Sequence, residues 1–174
     1  MSAARPRVLI LCCGNPARED DGIGPAVAAL LEQGLPDGVD VSADYQLAVE
    51  DAAEVADHEV VIFVDASTDA PEPFELREAA SVREPGFSTH AVSPEQVMGL
   101  ARELFAARTP GYILAVRGYS FRMFCEQMTE RGRANAEAAA RYLLDTLTSG
   151  QAAGAFSLAR GSDGEQRTGA RGKR

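Results

Sequence analysis

Short apolar runs alternate along the chain with longer stretches of helical periodicity. Runs typical of strands lie at residues 7–13, 39–44, 59–64, 74–79 and 112–119. Helical patterns lie at residues 25–33, 49–56, 93–107 and 129–147. Strands that alternate with helices predict an α/β fold with three layers: a mostly parallel, twisted sheet of about five strands with helices on both faces.

Three of these segments carry more specific signals. Residues 8–13 are apolar throughout, as expected of a parallel strand covered on both faces. Ser93, Pro94 and Gln96 form the pattern of a capping box with proline in the first turn, so a helix is predicted to begin there. Residues 74–78 alternate apolar and charged side chains, which indicates an edge strand whose direction, parallel or antiparallel, is open.

Composition narrows the class of protein. The 174 residues are 45% hydrophobic, which suits one globular domain, predicted at residues 1–148. Residues 149–174 are rich in Gly, Ala, Ser and Arg and are predicted to be a disordered tail. A net charge of -9 argues against a nucleic-acid partner. The sequence shows no signal region and no apolar run long enough to cross a membrane. Its three cysteines fit neither a disulfide framework nor a zinc pattern. We therefore expect a cytoplasmic protein.

Segment 14–24 places two adjacent carboxylates directly after the first apolar strand. It reads Gly-Asn-Pro-Ala-Arg-Glu-Asp-Asp-Gly-Ile-Gly and precedes helix 25–33. In open α/β sheets ligands bind beyond the carboxyl ends of the strands, so Asp20 and Asp21 lie where a site is expected. One of the two can be explained as a cap of the following helix, which leaves the other for chemistry.

Two further polar residues are predicted at the same edge. Asp65 follows the apolar run 60–64, and His90 precedes the capped helix. Taken singly, Asp65 fits an Asx-turn or cap, and His90 fits an ordinary loop position. Together with Asp21 they would supply two carboxylate oxygens and one imidazole nitrogen, an open site suited to nickel, iron, zinc or manganese. The other histidine, His58, lies in a polar connection and is interpreted as a solvated surface residue.

Segment 14–24 resembles the GN-x-x-x-x-DDG-x-G signature of the nickel-iron hydrogenase maturation endopeptidases. The tripeptides Val-Asp-Ala at 64–66 and Ser-Thr-His at 88–90 resemble the next two motifs of that family, in the same order. The agreement in order and spacing covers about the first hundred residues.

The resemblance implies a hydrogenase maturation protease fold and a specific activity. Members of that family remove a C-terminal extension from the hydrogenase large-subunit precursor after nickel insertion. Metal contact and catalysis would fall to Asp21, Asp65 and His90, whereas Asp20 would shape the turn. The nickel would arrive with the substrate, and another divalent metal could occupy the site in vitro. Whether the metal also polarises the scissile carbonyl or activates water stays open.

The chain departs from the family pattern in two places that bear on substrate choice. Residues 44–47 read Asp-Tyr-Gln-Leu where a Gly-rich stretch after the second strand is common. Residues 117–120 read Arg-Gly-Tyr-Ser where a pattern of small apolar residues and Gly is usual on the last strand. Arg117 and Arg122 either meet acidic groups of a substrate tail or pair with surface carboxylates. Helix 93–107 and segment 121–124 carry apolar side chains that either pack into the core or face a large partner.

Three rival functions remain open from the sequence. Cys12 or Cys13 could be a nucleophile with His90 as its base, although both lie in an apolar strand where a thiol is normally inert. A strand, a Gly-containing turn and a helix also describe nucleotide- or phosphate-binding modules, but the paired acids oppose that interpretation. The third rival is a metal-binding chaperone that holds the precursor without cutting it.

Overall fold

The structure, a computed structural model, describes residues 6–81 and 92–149. The strands in these residues are β1 (Val8–Cys13), β2 (Val39–Asp44), β3 (Val60–Ser67), β4 (Phe74–Glu78) and β5 (Gly111–Arg117). The helices are α1 (Ile23–Leu31), α2 (Asp51–Ala56), α3 (Pro94–Phe105) and α4 (Glu130–Thr148), and a 3₁₀ turn spans Glu19–Gly22. The predicted α/β fold is confirmed, and the 3₁₀ turn is an addition that the hydrophobic pattern does not reveal.

The five strands form one sheet in the order β2-β1-β3-β5-β4. Neighbours pair in parallel except β4, which lies antiparallel to β5 at the edge. The alternation of apolar and charged residues in β4 therefore marks an edge strand, as predicted, and the structure settles its direction. All six residues of β1 are buried because this strand lies inside the sheet and is covered on both faces.

Helices cover both faces of the sheet. One core cluster joins α1 and α4 to one face, and a second joins α2 and α3 to the other. Helix α3 begins as predicted: the Ser93 side chain accepts the Gln96 N–H, and the Gln96 side chain accepts the Ser93 N–H. Within the described part of the chain, no helix is both long and apolar enough to cross a membrane.

The strand order reverses between β1 and β3. Helix α1 leads from β1 to β2 across one face, whereas α2 leads from β2 to β3 across the other. Such a reversal opens a crevice at the carboxyl ends of the two strands, which is where α/β proteins bind ligands. The turn after β1 and the end of β3 border this crevice.

Some boundaries differ from the prediction for a physical reason. Strand β3 continues to Ser67 instead of ending at residue 64, because β5 pairs with it as far as Ser67 opposite Arg117. Pairing with β1 ends at Val64, so Asp65 has a strand neighbour on one side only. Helix α1 begins at Ile23 and α2 at Asp51, two residues earlier and two later than predicted. The predicted tail at 149–174 lies outside the described residues except for Ser149.

Candidate functional site

The turn after β1 folds back tightly onto the end of that strand. Gly14 has a φ of +143°, and a Cβ at this position would overlap the carbonyl oxygen of Asp21. Gly24 lies in the helix with ordinary backbone angles, but a Cβ there would overlap the carbonyl oxygen of Cys13. Glycine at position 24 is therefore required by the close approach of two backbone segments and not by a positive φ. The two glycines thus hold the acidic turn against the strand end.

Asp20 is completely buried and acts as an internal tie. Its carboxylate accepts the N–H groups of Tyr119 at 2.8 Å, Ser120 at 3.3 Å and Thr129 at 2.8 Å, as well as the Thr129 hydroxyl at 2.8 Å. These donors come from the segment between β5 and α4. With its acceptor sites engaged by the protein, Asp20 shapes the turn and is not offered to a ligand.

Asp21 faces outward from the same turn. Its side chain is 23% exposed, and its carboxylate accepts the Asn15 N–H at 3.1 Å. The Arg18 guanidinium lies 3.6 Å from that carboxylate, and the Asn15 side chain in turn accepts the Ala17 N–H at 2.9 Å. Neighbouring residues of the turn therefore orient Asp21 while leaving part of it accessible at the crevice.

Asp65 approaches Asp21 from the end of β3. The residue is exposed, yet nearby protein withdraws water from its carboxyl group and raises its pKa from 3.8 to about 6. A hydrogen bond from the Ala66 N–H at 2.8 Å opposes this shift, whereas the negative charge of Asp21 adds to it. The two acids come to the same place because β1 and β3 are neighbours: the turn with Asp21 follows β1, and Asp65 follows Val64, the last β3 residue paired with β1. A cation between them would relieve both the repulsion and the lost hydration.

The structure brings together two of the three predicted site residues. Asp21 and Asp65 lie at the β1–β3 crevice, whereas His90 lies outside the described residues. Helix α3, which begins four residues after His90, packs on the same face of the sheet as Cys13 and Phe63. Within residues 6–81 and 92–149, no group of three or more His, Cys, Asp and Glu side chains is arranged to hold a metal. The assignment of His90 therefore stays a prediction.

The buried thiols at the end of β1 are poorly suited to nucleophilic attack. Burial raises the pKa of Cys12 far above its usual range, with a further contribution from Cys13. Burial also raises the pKa of Cys13 to about 12, and the carboxylates of Asp65, Asp51 and Asp44 add to the shift. The thiolate is the reactive form of cysteine, and the neighbouring carboxylates make it harder to form. The same acids that favour a cation at this edge therefore disfavour a cysteine nucleophile.

An ion pair between buried Glu19 and exposed Arg122 lies beside the site and has no local signal in the sequence. Glu19 is buried, and its carboxylate accepts Arg122 Nε–H at 2.9 Å and Nη2–H at 2.6 Å, the Arg122 backbone N–H at 3.0 Å, and the Ser120 hydroxyl. These contacts lower the pKa of Glu19 to about 2, with the Arg122 side chain as the largest cause. Arg122 thus pairs with a carboxylate of this chain, as in the second role considered for it, but that carboxylate is buried instead of lying on the surface.

His58 is the residue that the sequence interpretation misplaced. It is buried instead of solvated, with Nδ1 2.7 Å from the Glu54 carbonyl oxygen and Nε2 2.9 Å from the Asp40 carboxylate. The polar residues around it in sequence suggested solvent, but α2 and β2 enclose the ring. Arg117 likewise serves the fold, donating from Nη1 to the Ala70 carbonyl oxygen at 3.1 Å.

The fold of this chain is similar to solved structures of hydrogenase maturation proteases. The NiFe hydrogenase maturation protease HycI from Thermococcus kodakarensis KOD1 matches at a TM-score of 0.65 and 23% identity, covering 84% of this chain and 95% of that one. The hydrogenase 2 maturation peptidase from Thaumarchaeota archaeon SCGC_AB-539-E09 matches at 0.58 and 25%, covering 82% and 98%. The Escherichia coli hydrogenase maturating endopeptidase HybD matches at 0.59 and 24%, covering 82% and 93%. No protein-family model and no curated protein sequence matches.

Proposed function

Since this chain has the fold of the NiFe hydrogenase maturation proteases, we propose that it is an endopeptidase of that kind. Its reaction would be removal of the C-terminal extension of a hydrogenase large-subunit precursor after nickel insertion. The observation that carries the proposal is the approach of Asp21 and Asp65 at the β1–β3 crevice of that fold.

Recognition of the substrate's nickel accounts for this arrangement. Asp21 and Asp65 would each supply a carboxylate oxygen, and His90 an imidazole nitrogen, to the nickel already seated in the precursor. The pKa of Asp65, about 6, leaves it mostly ionised at neutral pH, although Asp21 is nearby. A divalent cation would neutralise the two like charges, so the precursor that carries nickel would be preferred to one that does not. Another divalent metal could occupy the same ligands in vitro.

We also place this activity in the cytoplasm. Cys12, Cys13 and Cys125 are free thiols, and free cysteines in a chain of this size are typical of a reducing compartment. The cysteines are accordingly structural in this proposal. Catalysis is assigned to the residues at the crevice.

The decisive experiment is intact-mass analysis of the precursor after incubation with the protein. Wild type should release a C-terminal peptide from nickel-loaded precursor and leave nickel-free precursor unchanged. Asp21→Asn, Asp65→Asn and His90→Ala should each slow release by about 100-fold or more, because loss of a ligand exceeds the 10–100-fold effect typical of residues that only support one. Asp69→Asn, which changes an exposed acid in the loop after β3, is the matched control and should retain wild-type rates.

The rival functions predict different results in the same experiment. A cysteine nucleophile would make Cys12→Ser or Cys13→Ser inactive, whereas our proposal expects both to process the precursor. A chaperone would bind the precursor without any loss of mass. A phosphate-binding module would bind a nucleotide regardless of Asp21→Asn, but the carboxylates of residues 19–21 before α1 oppose an anion there. Intact precursor after incubation with wild type, while a known processing enzyme cuts it, would refute the peptidase assignment for that substrate.

A further inference from the structure

The loop 120–125, between β5 and α4, carries exposed apolar side chains beside the candidate site. Met123 is 57% exposed and Phe124 is 92% exposed. Phe121, in contrast, turns inward, and its ring packs over Gly118. The loop therefore divides its apolar residues between the protein interior and an outward pair, which we call the Met123–Phe124 tip.

The backbone of this loop is fixed to the acidic turn on both sides of the tip. The Asp20 N–H donates to the Ser120 carbonyl oxygen at 3.0 Å, and the Glu19 N–H donates to that of Cys125 at 2.7 Å. The Cys125 N–H donates to the Ala17 carbonyl oxygen at 3.0 Å. Between these bonds, Arg122 reaches back to the buried carboxylate of Glu19. Such bonding holds the tip in one place relative to Asp21.

Phe124 itself has an unusual conformation for an exposed residue. Its φ of +58° lies in the left-handed region, which bulky side chains rarely adopt. Strained residues persist where the surrounding structure determines them, and they concentrate at functional positions such as ligand clamps. Phe and Met side chains are enriched in protein–protein interfaces, and a fixed backbone lowers the entropy lost when such side chains bind a partner.

Four other large hydrophobic side chains of the described residues are exposed: Tyr45 (71%) and Val49 (46%), which follow β2, and a pair at the far end of the sheet. Leu104 and Phe105 are 67% and 49% exposed at the end of α3, which leads to the start of β5. The start of β5 is at the sheet edge opposite the carboxyl ends of the parallel strands. These two residues resemble the Met123–Phe124 tip in size and exposure but lie away from the crevice.

We infer that the Met123–Phe124 tip is a docking anchor for the surface of the hydrogenase large-subunit precursor that borders its cleavage site. The inference rests on the proposed function, because it is the precursor that must enter the crevice. Residues 17–21 carry Asp21 and also bond the loop on both sides of the tip, so a protein that reaches Asp21 comes close to the Met123–Phe124 tip. In this proposal the Met123–Phe124 tip strengthens binding of the precursor, and the residues at the crevice carry out the cleavage.

Binding to nickel-free precursor isolates docking from cleavage. Phe124→Ser should weaken this binding by about tenfold or more, which is the loss expected when a large apolar anchor is removed from a buried contact. Phe124→Leu, which keeps an apolar side chain, should restore most of the affinity, and Leu104→Ser should bind like wild type. With nickel-loaded precursor, Phe124→Ser should raise KM and leave kcat within about twofold. Because Phe124 lies almost wholly in solvent, its replacement should leave the thermal unfolding midpoint at least as high as that of wild type.

Each alternative result has a defined meaning. Equal affinities for wild type and Phe124→Ser would overturn the anchor, as would an equal loss in Phe124→Ser and Leu104→Ser. If wild type binds the precursor through Phe124 but never cuts the nickel-loaded form, the anchor stands and the proposed peptidase function fails. Wild type that neither binds nor cuts would overturn both.

Discussion

Two adjacent aspartates in the turn after β1 have opposite roles. Asp20 is completely buried and accepts four hydrogen bonds from residues that lie about a hundred positions further along the chain. Asp21 is partly exposed and has one backbone donor and one nearby guanidinium. A side chain whose acceptors are all engaged cannot take a ligand without leaving donors unpaired. The division of roles therefore follows from direction: Asp20 points into the protein and Asp21 into the crevice.

Because Asp65 lies in an environment that disfavours its charge, we expect its neutralisation to stabilise the fold and to abolish function. Its folded-state pKa, about 6, lies above the ordinary 3.8, so the folded protein loses stability as the pH rises through this window and Asp65 ionises. Asp65→Asn should therefore raise the free energy of unfolding at pH 7.5 by about 1 kcal/mol, after allowance for solvent screening of an exposed group. The gain should shrink as the pH falls from 7.5 to 4, and precursor processing should be lost.

Urea unfolding at several pH values measures this effect. Asp69→Asn removes an exposed carboxylate from the same region and should change the unfolding free energy little at any pH. A gain for Asp65→Asn that is the same at pH 4 and pH 7.5 would contradict the electrostatic explanation.

At the level of single residues, the sequence predicted the positions of the accessible acids but not the buried contacts around them. Asp21 and Asp65 each follow an apolar strand, so their placement at one sheet edge could be inferred from the strand pattern. The pair of Glu19 with Arg122 joins residues 103 positions apart, and no local pattern marks such a contact. Burial of His58 was missed for the same reason, because the partner of its Nε2 atom, Asp40, lies on another element.

At the level of elements, Asp20 ties the acidic turn to the start of α4. Thr129 is the N-cap of this helix, and both its backbone N–H and its hydroxyl donate to Asp20. The Thr129 hydroxyl oxygen also accepts the Gly132 N–H at 3.0 Å. A Cβ on Gly132 would overlap the Asp20 carboxylate, so the first turn of α4 is shaped to the buried acid. The position of Asp21 thus depends on an element that begins more than a hundred residues later.

Removal of the Asp20 carboxylate should destabilise the fold and displace the acidic turn. Asp20→Ala leaves the N–H groups of Tyr119 and Thr129 and the Thr129 hydroxyl without their acceptor, and each unpaired buried group costs about 1–3 kcal/mol. We expect a loss of about 3 kcal/mol or more in the free energy of unfolding. Denaturant unfolding measures it, with Asp37→Ala as an exposed control. A loss below about 1 kcal/mol would show that the tie contributes little.

Element positions followed from hydrophobic periodicity and cap chemistry where these signals are local. The start of α3 is an example, because Ser93, Pro94 and Gln96 specify it within one turn. The end of β3 is a counterexample. Its last residues are held by pairing with β5. The register of β3 against β5 depends on the whole sheet and cannot be inferred from the residues of β3 alone.

At the level of the whole molecule, the order and direction of the strands determine where the site lies. The reversal of strand order between β1 and β3 creates the crevice, and α1 and α4 on one face leave α2 and α3 to cover the other. The row formed by Asp44, Cys13 and Asp65 lies across three adjacent strand ends on the second face. Acids from separate segments thus share one edge, and their repulsion is a cost that a bound cation would remove.

The same view of the molecule predicts where the folded domain ends. Helix α4 carries buried Leu143 and Leu147 against the core and ends at Thr148. A chain shortened after Ser149 should therefore unfold in one cooperative transition with the same free energy as the full chain and should process the precursor at the same rate. A chain shortened after Tyr142 loses both leucines, each worth about 1.5–3 kcal/mol when buried, and should be less stable by about 3–6 kcal/mol. Reduced stability after the first truncation would mean that residues 150–174 pack on the domain and that its boundary lies further along the chain.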